Sequence, residues 1–187
     1  MAVDDRPRVV GDLDERGLLE LVLPRTGTGR GVPGVVVPAG DDAAVLVGSE
    51  PLVATTDTLV RGRDWRDDWS SAHDVGVKVS VQNLADVAAM GARPTALFVA
   101  LALPDETTVG FVEDIARGLR EACADLAPGC AVEGGDLTAS DTLTIAVTAI
   151  GVLDGRGGQS LTAALKGFQE SRGLTVTGKP DQPTLRA

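Results

Sequence analysis

Seventeen basic residues against twenty-seven acidic ones leave this 187-residue chain with a net charge of −10. That sign repels phosphate backbones and anionic lipid, so neither a nucleic-acid binder nor a membrane-surface protein is expected. Hydrophobic residues make up 43% of the chain and aromatic ones only 3%, with no Tyr, so a core is affordable in length but must be packed from Val, Leu and Ala.

The opening "MAVDDRPRVVGDLDE" places acids before any apolar run, and no apolar stretch reaches spanning length. A soluble, unexported, cytoplasmic chain is therefore expected. In "DERGLLELVLPRTG", Leu18, Leu21 and Val22 stand at helical spacing, which predicts a short helix ending before Pro24. The Gly-rich "RTGTGRGVPG" reads as a loop. "VVVPAGDDAAVLVG" predicts two short strands around a turn, and "PLVATTD" a third strand in the same hairpin or meander. "SSAHDVGVKVSVQNLADVAAMGARP" changes period: Ser71 with Asp74 forms a capping box, and Gly91 before Pro94 stops the helix. Val77, Val81, Leu84 and Ala88 mark its apolar face, and Lys78, Gln82 and Asp86 a polar stripe, with Asn83 and Asp86 as candidates to face a site. "ALFVALALP" reads as a central strand buried on both faces. In the next helix Val112, Ile115, Leu119, Cys123 and Leu126 recur at three- and four-residue steps. Cys123 and Cys130 are too few for a disulfide framework and lack metal-ligand spacing, so they read as buried free thiols. "CAVEGGDLT" and "TLTIAVTAIGVL" close the pattern as strands. The fold class is α/β, a mixed sheet covered by helices.

Acids recur at the edges of these apolar elements: Asp41 and Asp42 in "AGDDAAVL", Asp57 in "TTDT", Asp86 in "NLADVAAMGA", Glu133 and Asp136 in "EGGDLT". Hydroxyl and carboxylate oxygens are the hard donors that Mg2+ accepts, and neighbouring glycines let backbone approach a ligand. Together they suggest a multi-metal phosphate site, through which an acidic protein can bind an anionic nucleotide.

The ordered set "GDDAAVL", "TTDTLV", "NLADVAAMGARP", "LALP" and "EGGDLT" resembles the amino-terminal domain of the thiamine-monophosphate kinases, within the aminoimidazole-ribonucleotide synthetase superfamily. The resemblance runs from about Gly11 to Gly155. It implies transfer of a phosphoryl group from ATP to thiamine monophosphate, giving thiamine diphosphate, with Mg2+ as cofactor. It further implies a homodimer whose sheets pair into a barrel. Carried over by motif, Asp42, Thr55, Thr56, Asp57, Asp86 and Asp136 become metal ligands, and Gly135 with Asp136 meets the nucleotide. His73 is not part of the pattern and reads as structural. Two departures stand out. In "VRGRDW" the substrate-contacting histidine of the family is replaced by Asp64, which would repel a substrate phosphate unless a metal, Arg61 or Arg63 screens it. The family's carboxy-terminal domain is also missing from the chain, which implies a truncated enzyme.

Residues 1–156 are read as the kinase-like domain and 157–187 as a linker with a short helical appendage. That helix is expected through Leu161, Leu165 and Phe168, stopping at Gly173. The tail resembles the later part of a peptidoglycan-binding repeat at Phe168, Gln169, Gly173, Leu174, Val176, Gly178, Asp181 and Thr184. An alternative reading follows, a non-catalytic dimeric scaffold or Mg-nucleotide-binding remnant with a cell-wall-binding tail. A third is a superfamily enzyme with another phosphate acceptor, suggested by Asp64.

Overall fold

The computed structural model describes residues 7–27, 35–37, 45–46, 50–153, 166, 169–170 and 173–177. A 3-10 turn at Val10–Asp12 precedes α1 (Glu15–Thr26), β1 (Val35–Val37), β2 (Val45–Leu46), β3 (Leu52–Val60), α2 (Ala72–Ala89), β4 (Arg93–Leu103), α3 (Val109–Leu126), β5 (Ala131–Ala139) and β6 (Thr144–Val152).

Helix α1 starts where Asp14 accepts a hydrogen bond from the Gly17 N–H at 2.8 Å. It does not stop before Pro24 but runs on to Thr26, and Gly27 closes it at φ +76°. A proline in the last turn removes only one helical bond. Side chains bind carbonyls there: Arg25 Nη1 donates to Leu21 O at 2.6 Å and Thr26 Oγ1 to Leu23 O at 2.8 Å.

Strands β1 and β2 pair antiparallel as expected, but β3 does not join them. It pairs along its whole length with β6, Leu52 opposite Val152 through to Val60 opposite Thr144. A nine-residue strand satisfies far more backbone groups against a nine-residue partner than against a two-residue one. The main sheet has the order β3-β6-β4-β5, parallel between β4 and β5 and antiparallel elsewhere. The mixed α/β class is thus observed.

Helices α2 and α3 cover one face of this sheet. Leu97, Val99, Leu101, Ile145, Val147 and Ala149 are buried there with Val75, Val79, Val87, Val112, Ile115 and Leu119. The other face is open: Ala100, Thr56, Thr58 and Thr148 are exposed and Phe98 and Ala102 half-buried. Strand β4, expected to be buried on both faces, is therefore covered on one.

The capping box of α2 is present, with Ser71 N–H donating to Asp74 Oδ2 at 3.0 Å and Asp74 N–H to Ser71 Oγ at 3.2 Å. Its buried face, however, is Ala72, Val75, Gly76, Val79, Ser80, Asn83, Leu84 and Val87, whereas Val81 is exposed. The helix is apolar over so wide an arc that hydrophobicity alone does not choose a side. Glycine does. A Cβ on Gly76 would collide with Ile115 O, and one on Gly118 with His73 O, so the backbones of α2 and α3 approach closely at these two residues. Helix α3 buries Val112, Ile115, Leu119 and Cys123 as their spacing predicts, while Leu126 is exposed.

In the tail, Lys166, Gln169 and Glu170 are helical, and Gly173, at φ +63°, donates its N–H to Glu170 O at 3.1 Å. Gln169 is buried and donates through Nε2 to Thr177 Oγ1 at 2.9 Å. The expected helix positions Leu161, Leu165 and Phe168 and the boundary at 156/157 lie outside the described residues. Among those described, no helix is long and apolar enough to cross a membrane.

Candidate metal and nucleotide site

Asp57 does not end its strand. Thr55, Thr56 and Asp57 lie in the middle of β3 opposite Ala149, Thr148 and Val147, because Thr58, Leu59 and Val60 go on pairing with β6. Side chains alternate along a strand, so the three split between faces. Thr55 and Asp57 are half-buried on the helix-covered side with Leu59. Thr56 points to the open side, where its Oγ1 donates to Val147 O at 3.0 Å and accepts from Thr148 Oγ1 at 3.4 Å.

Asp86 is exposed near the end of α2, the helix that packs on β3 and β6. Three residues before it Asn83 is fully buried; its Nδ2 donates to Val79 O at 2.9 Å, and its Oδ1 has no partner among the described residues. Asn83 therefore faces the core, and of the two candidates on this helix only Asp86 is open to a ligand.

Asp136 is likewise inside a strand rather than at its end. It stands opposite Ala100, which stands opposite Ala146, which stands opposite Thr58. Register thus puts Asp136 on the open face, exposed, and three strand spacings separate it from β3, about 14 Å. Packing requires Gly135, since a Cβ there would collide with Val99 O. Asp42 lies outside the described residues.

The fold therefore gathers Thr55, Asp57 and Asp86 on the helix-bearing side of the sheet and leaves Thr56 and Asp136 on the other. Among the described residues, no three His, Cys, Asp or Glu side chains converge closely enough to hold a metal ion. The donors themselves, hydroxyl and carboxylate oxygens, suit Mg2+.

Asp64 is engaged within its own loop. Its Oδ2 accepts from the Val60 N–H at 2.7 Å, its N–H donates to Val60 O at 2.9 Å, and its carbonyl accepts from Lys78 Nζ at 2.6 Å. Around it Arg61 pairs with Asp67 and lies over the Phe111 ring, and Arg66 pairs with Asp68 at 2.6 Å and lies 4.5 Å over Trp69. A carboxylate at this position closes the turn after β3, with Gly62 at φ +81° completing it. Sequence reading gave Asp64 a ligand-facing part and missed this one, although an Asp four residues after a strand end is a recognisable turn signal. His73 donates or accepts through Nε2 at 2.8 Å from Glu121 Oε2, a link between α2 and α3 that agrees with a structural role.

Comparison with known proteins bears on the family and the fold. Residues 40–153 match the family model "AIR synthase related protein, N-terminal domain", a span that takes in every strand of the main sheet. Residues 144–187 match a peptidoglycan binding domain model; the overlap falls on β6, which is paired on both sides within the main sheet. The thiamine-monophosphate kinase of Corynebacterium glutamicum is 39% identical over 180 residues, covering 89% of this chain and 51% of that protein. That of Mycobacterium tuberculosis is 41% identical over 137 residues, covering 72% and 40%. Among solved structures, the thiamine-monophosphate kinase of Stenotrophomonas maltophilia superposes with a TM-score of 0.60 at 38% identity, covering 74% of this chain and 42% of that one. AaThiL complexed with AMPPCP and TMP gives a TM-score of 0.52 at 30% identity, covering 75% and 42%. The chain spans about half the length, or less, of the curated relatives it matches. With more than half of its residues matched and its main sheet falling within that match, the chain belongs to the AIR synthase-related family through that family's N-terminal domain.

Proposed function

We propose that this chain carries the nucleotide- and metal-binding half of an ATP-dependent kinase that converts thiamine monophosphate to thiamine diphosphate. The observation that carries this reading is the 39% identity over 89% of the chain with a thiamine-monophosphate kinase, joined to the five ordered motifs, four of which carry acids. Thr55, Asp57 and Asp86, with Asp42, would hold Mg2+, whose positive charge offsets the repulsion between a phosphate monoester and a triphosphate. Thr56, expected from the motif to be a ligand as well, stands on the opposite face with its hydroxyl on Val147 O. Asp136 stands apart on the open face and, with Gly135 before it, is assigned to the nucleotide first. Asp64 acts on substrate binding through the shape of the loop it closes, which holds Arg61 and Arg66 in ion pairs.

The open sheet face supports a homodimer. Ala54, Phe98, Ala100, Ala146 and Ile150 lie on it with no helix above them among the described residues, and pairing with a second sheet would bury them as a barrel interior. A second reading, a dimeric scaffold with a cell-wall-binding tail, is favoured by the match over residues 144–187. Sedimentation on purified peptidoglycan tests it.

The kinase reading is tested by incubating the chain with thiamine monophosphate and ATP and following thiamine diphosphate. Product that forms with Mg2+ and disappears with a chelator supports it. Nucleotide binding without product would restrict the chain to the binding half, and a well-folded chain that neither binds nor turns over would leave the scaffold reading.

A further inference from the structure

The loop between β3 and α2 holds both tryptophans of the chain and uses them in opposite ways. Trp65 is 4% exposed; its Nε1 donates to Asp67 Oδ1 at 3.3 Å and its carbonyl accepts from the Gly62 N–H at 2.8 Å. Trp69 is 74% exposed. Its ring is nonetheless held. The Arg66 guanidinium lies over one face, 4.5 Å from the ring centre, and donates twice to Asp68, from Nε to Oδ1 at 2.9 Å and from Nη2 to Oδ2 at 2.6 Å. The N–H groups of Trp69 and Ser70 both donate to Arg66 O at 3.0 Å, and Ser71 caps α2 directly after them. Among the described residues no other cation lies over the indole, and with so much of the ring exposed its second face is open.

We propose that the open face of Trp69 is a stacking site for the cationic aromatic ring of the phosphate acceptor, and so a specificity-determining contact. This rests on the kinase reading. Thiamine carries a positively charged thiazolium ring, and the electron-rich face of an indole attracts a planar cation. Arg66 does not oppose it, because Asp68 takes up its charge and the layer stacked on the indole is a neutral pair. The same pair fixes the ring before a ligand arrives, so little rotamer freedom is lost on binding. Adenine, the other planar ring in the reaction, is uncharged, and Asp136, assigned to the nucleotide, lies on β5 at the opposite edge of the sheet from β3. Asp57 stands on β3 itself, about 10 Å before the strand gives way to the loop. A ring on Trp69 and a phosphate at the Mg2+ assigned to Asp57 therefore belong to one strand and the loop that follows it.

The indole is its own probe. The chain has two Trp and no Tyr, so the emission of the folded full chain less that of Trp69→Phe reports Trp69. Thiamine and thiamine monophosphate should both quench that component saturably, whereas inorganic phosphate and AMPPCP with Mg2+ should not. In calorimetry Trp69→Ala should weaken thiamine monophosphate binding about tenfold, about 1.4 kcal/mol, while Trp69→Phe, which keeps a ring, should lose less; AMPPCP affinity should be unchanged in both. Quenching by thiamine in a chain that does not bind AMPPCP would keep the stacking site and remove the kinase reading. Trp69 emission that thiamine monophosphate does not move in a folded chain, with or without AMPPCP binding, would overturn the proposal. So would quenching by AMPPCP in place of thiamine, or a Trp69→Ala chain that binds thiamine monophosphate as tightly as the wild type.

Discussion

The two faces of the four-stranded sheet are built from similar residues and lead different lives. Along β6, Ile145, Val147 and Ala149 are fully buried under α2 and α3, while Ala146, Thr148 and Ile150, one residue out of phase, are half-buried or exposed. Both rows are small or branched and neither carries a charge. Among the described residues, helices cover only one of them, and the apolar character of the second row suits a surface that another sheet could cover. The first face answers for stability; the second carries Asp136 and is the surface that the proposed homodimer would bury.

Substitutions placed one residue apart in β6 break this comparison most sharply. Val147→Asp would bury an unpaired carboxylate and should cost about 4 kcal/mol or more, enough to prevent folding. Thr148→Asp should leave the melting temperature of the monomer within a few degrees while shifting the chain toward monomer in sedimentation. Next in size is Gly76→Val. The side chain would strike Ile115 O where α2 and α3 touch, with an expected loss of about 3 kcal/mol in urea unfolding.

Asp57→Asn and Asp86→Asn sit on the helix-bearing side and should change stability by less than about 1 kcal/mol. Their effect should fall on the ligand, as loss of the thermal stabilisation that ATP with Mg2+ gives the wild type. Asp136→Asn, across the sheet, should weaken nucleotide binding without abolishing its Mg2+ dependence.

The smallest effect belongs to the His73 and Glu121 pair. The hydrogen bond from His73 holds the Glu121 carboxyl below its ordinary 4.5. A carboxyl with a depressed folded value contributes stability that is present above its unfolded value and is lost as pH falls through the folded one. Melting temperature should therefore drop as pH goes below about 4.5, and His73→Ala should flatten that drop. An unchanged profile in the variant would show that the pair has no energetic part.

Much of this fold could be read from the chain because its signals are local. The Ser71 and Asp74 capping box, the three- and four-step apolar spacing of α3 and the alternation in β3 and β6 each depend on residues a few positions apart. What failed depended on contacts distant in sequence. The buried side of α2 is chosen by Gly76 meeting α3, and the pairing of β3 with β6 joins residues such as Thr56 and Thr148. For the candidate site the outcome is divided. Residue type and motif order pointed to Thr55, Asp57 and Asp86, which do share a side; alternation along β3 is enough to turn Thr56 away from its neighbours, but nothing local shows which face Asp136 takes. The tie of Asp64 to Val60 was missed although it is local, a matter of turn geometry over four residues.

Calorimetric titration of the full chain with AMPPCP, with and without Mg2+, bears most directly on the central claim. The account predicts binding that requires Mg2+ and that Asp57→Asn removes. Binding of equal strength in both conditions, or none by a chain whose cooperative melting shows it folded, would contradict it.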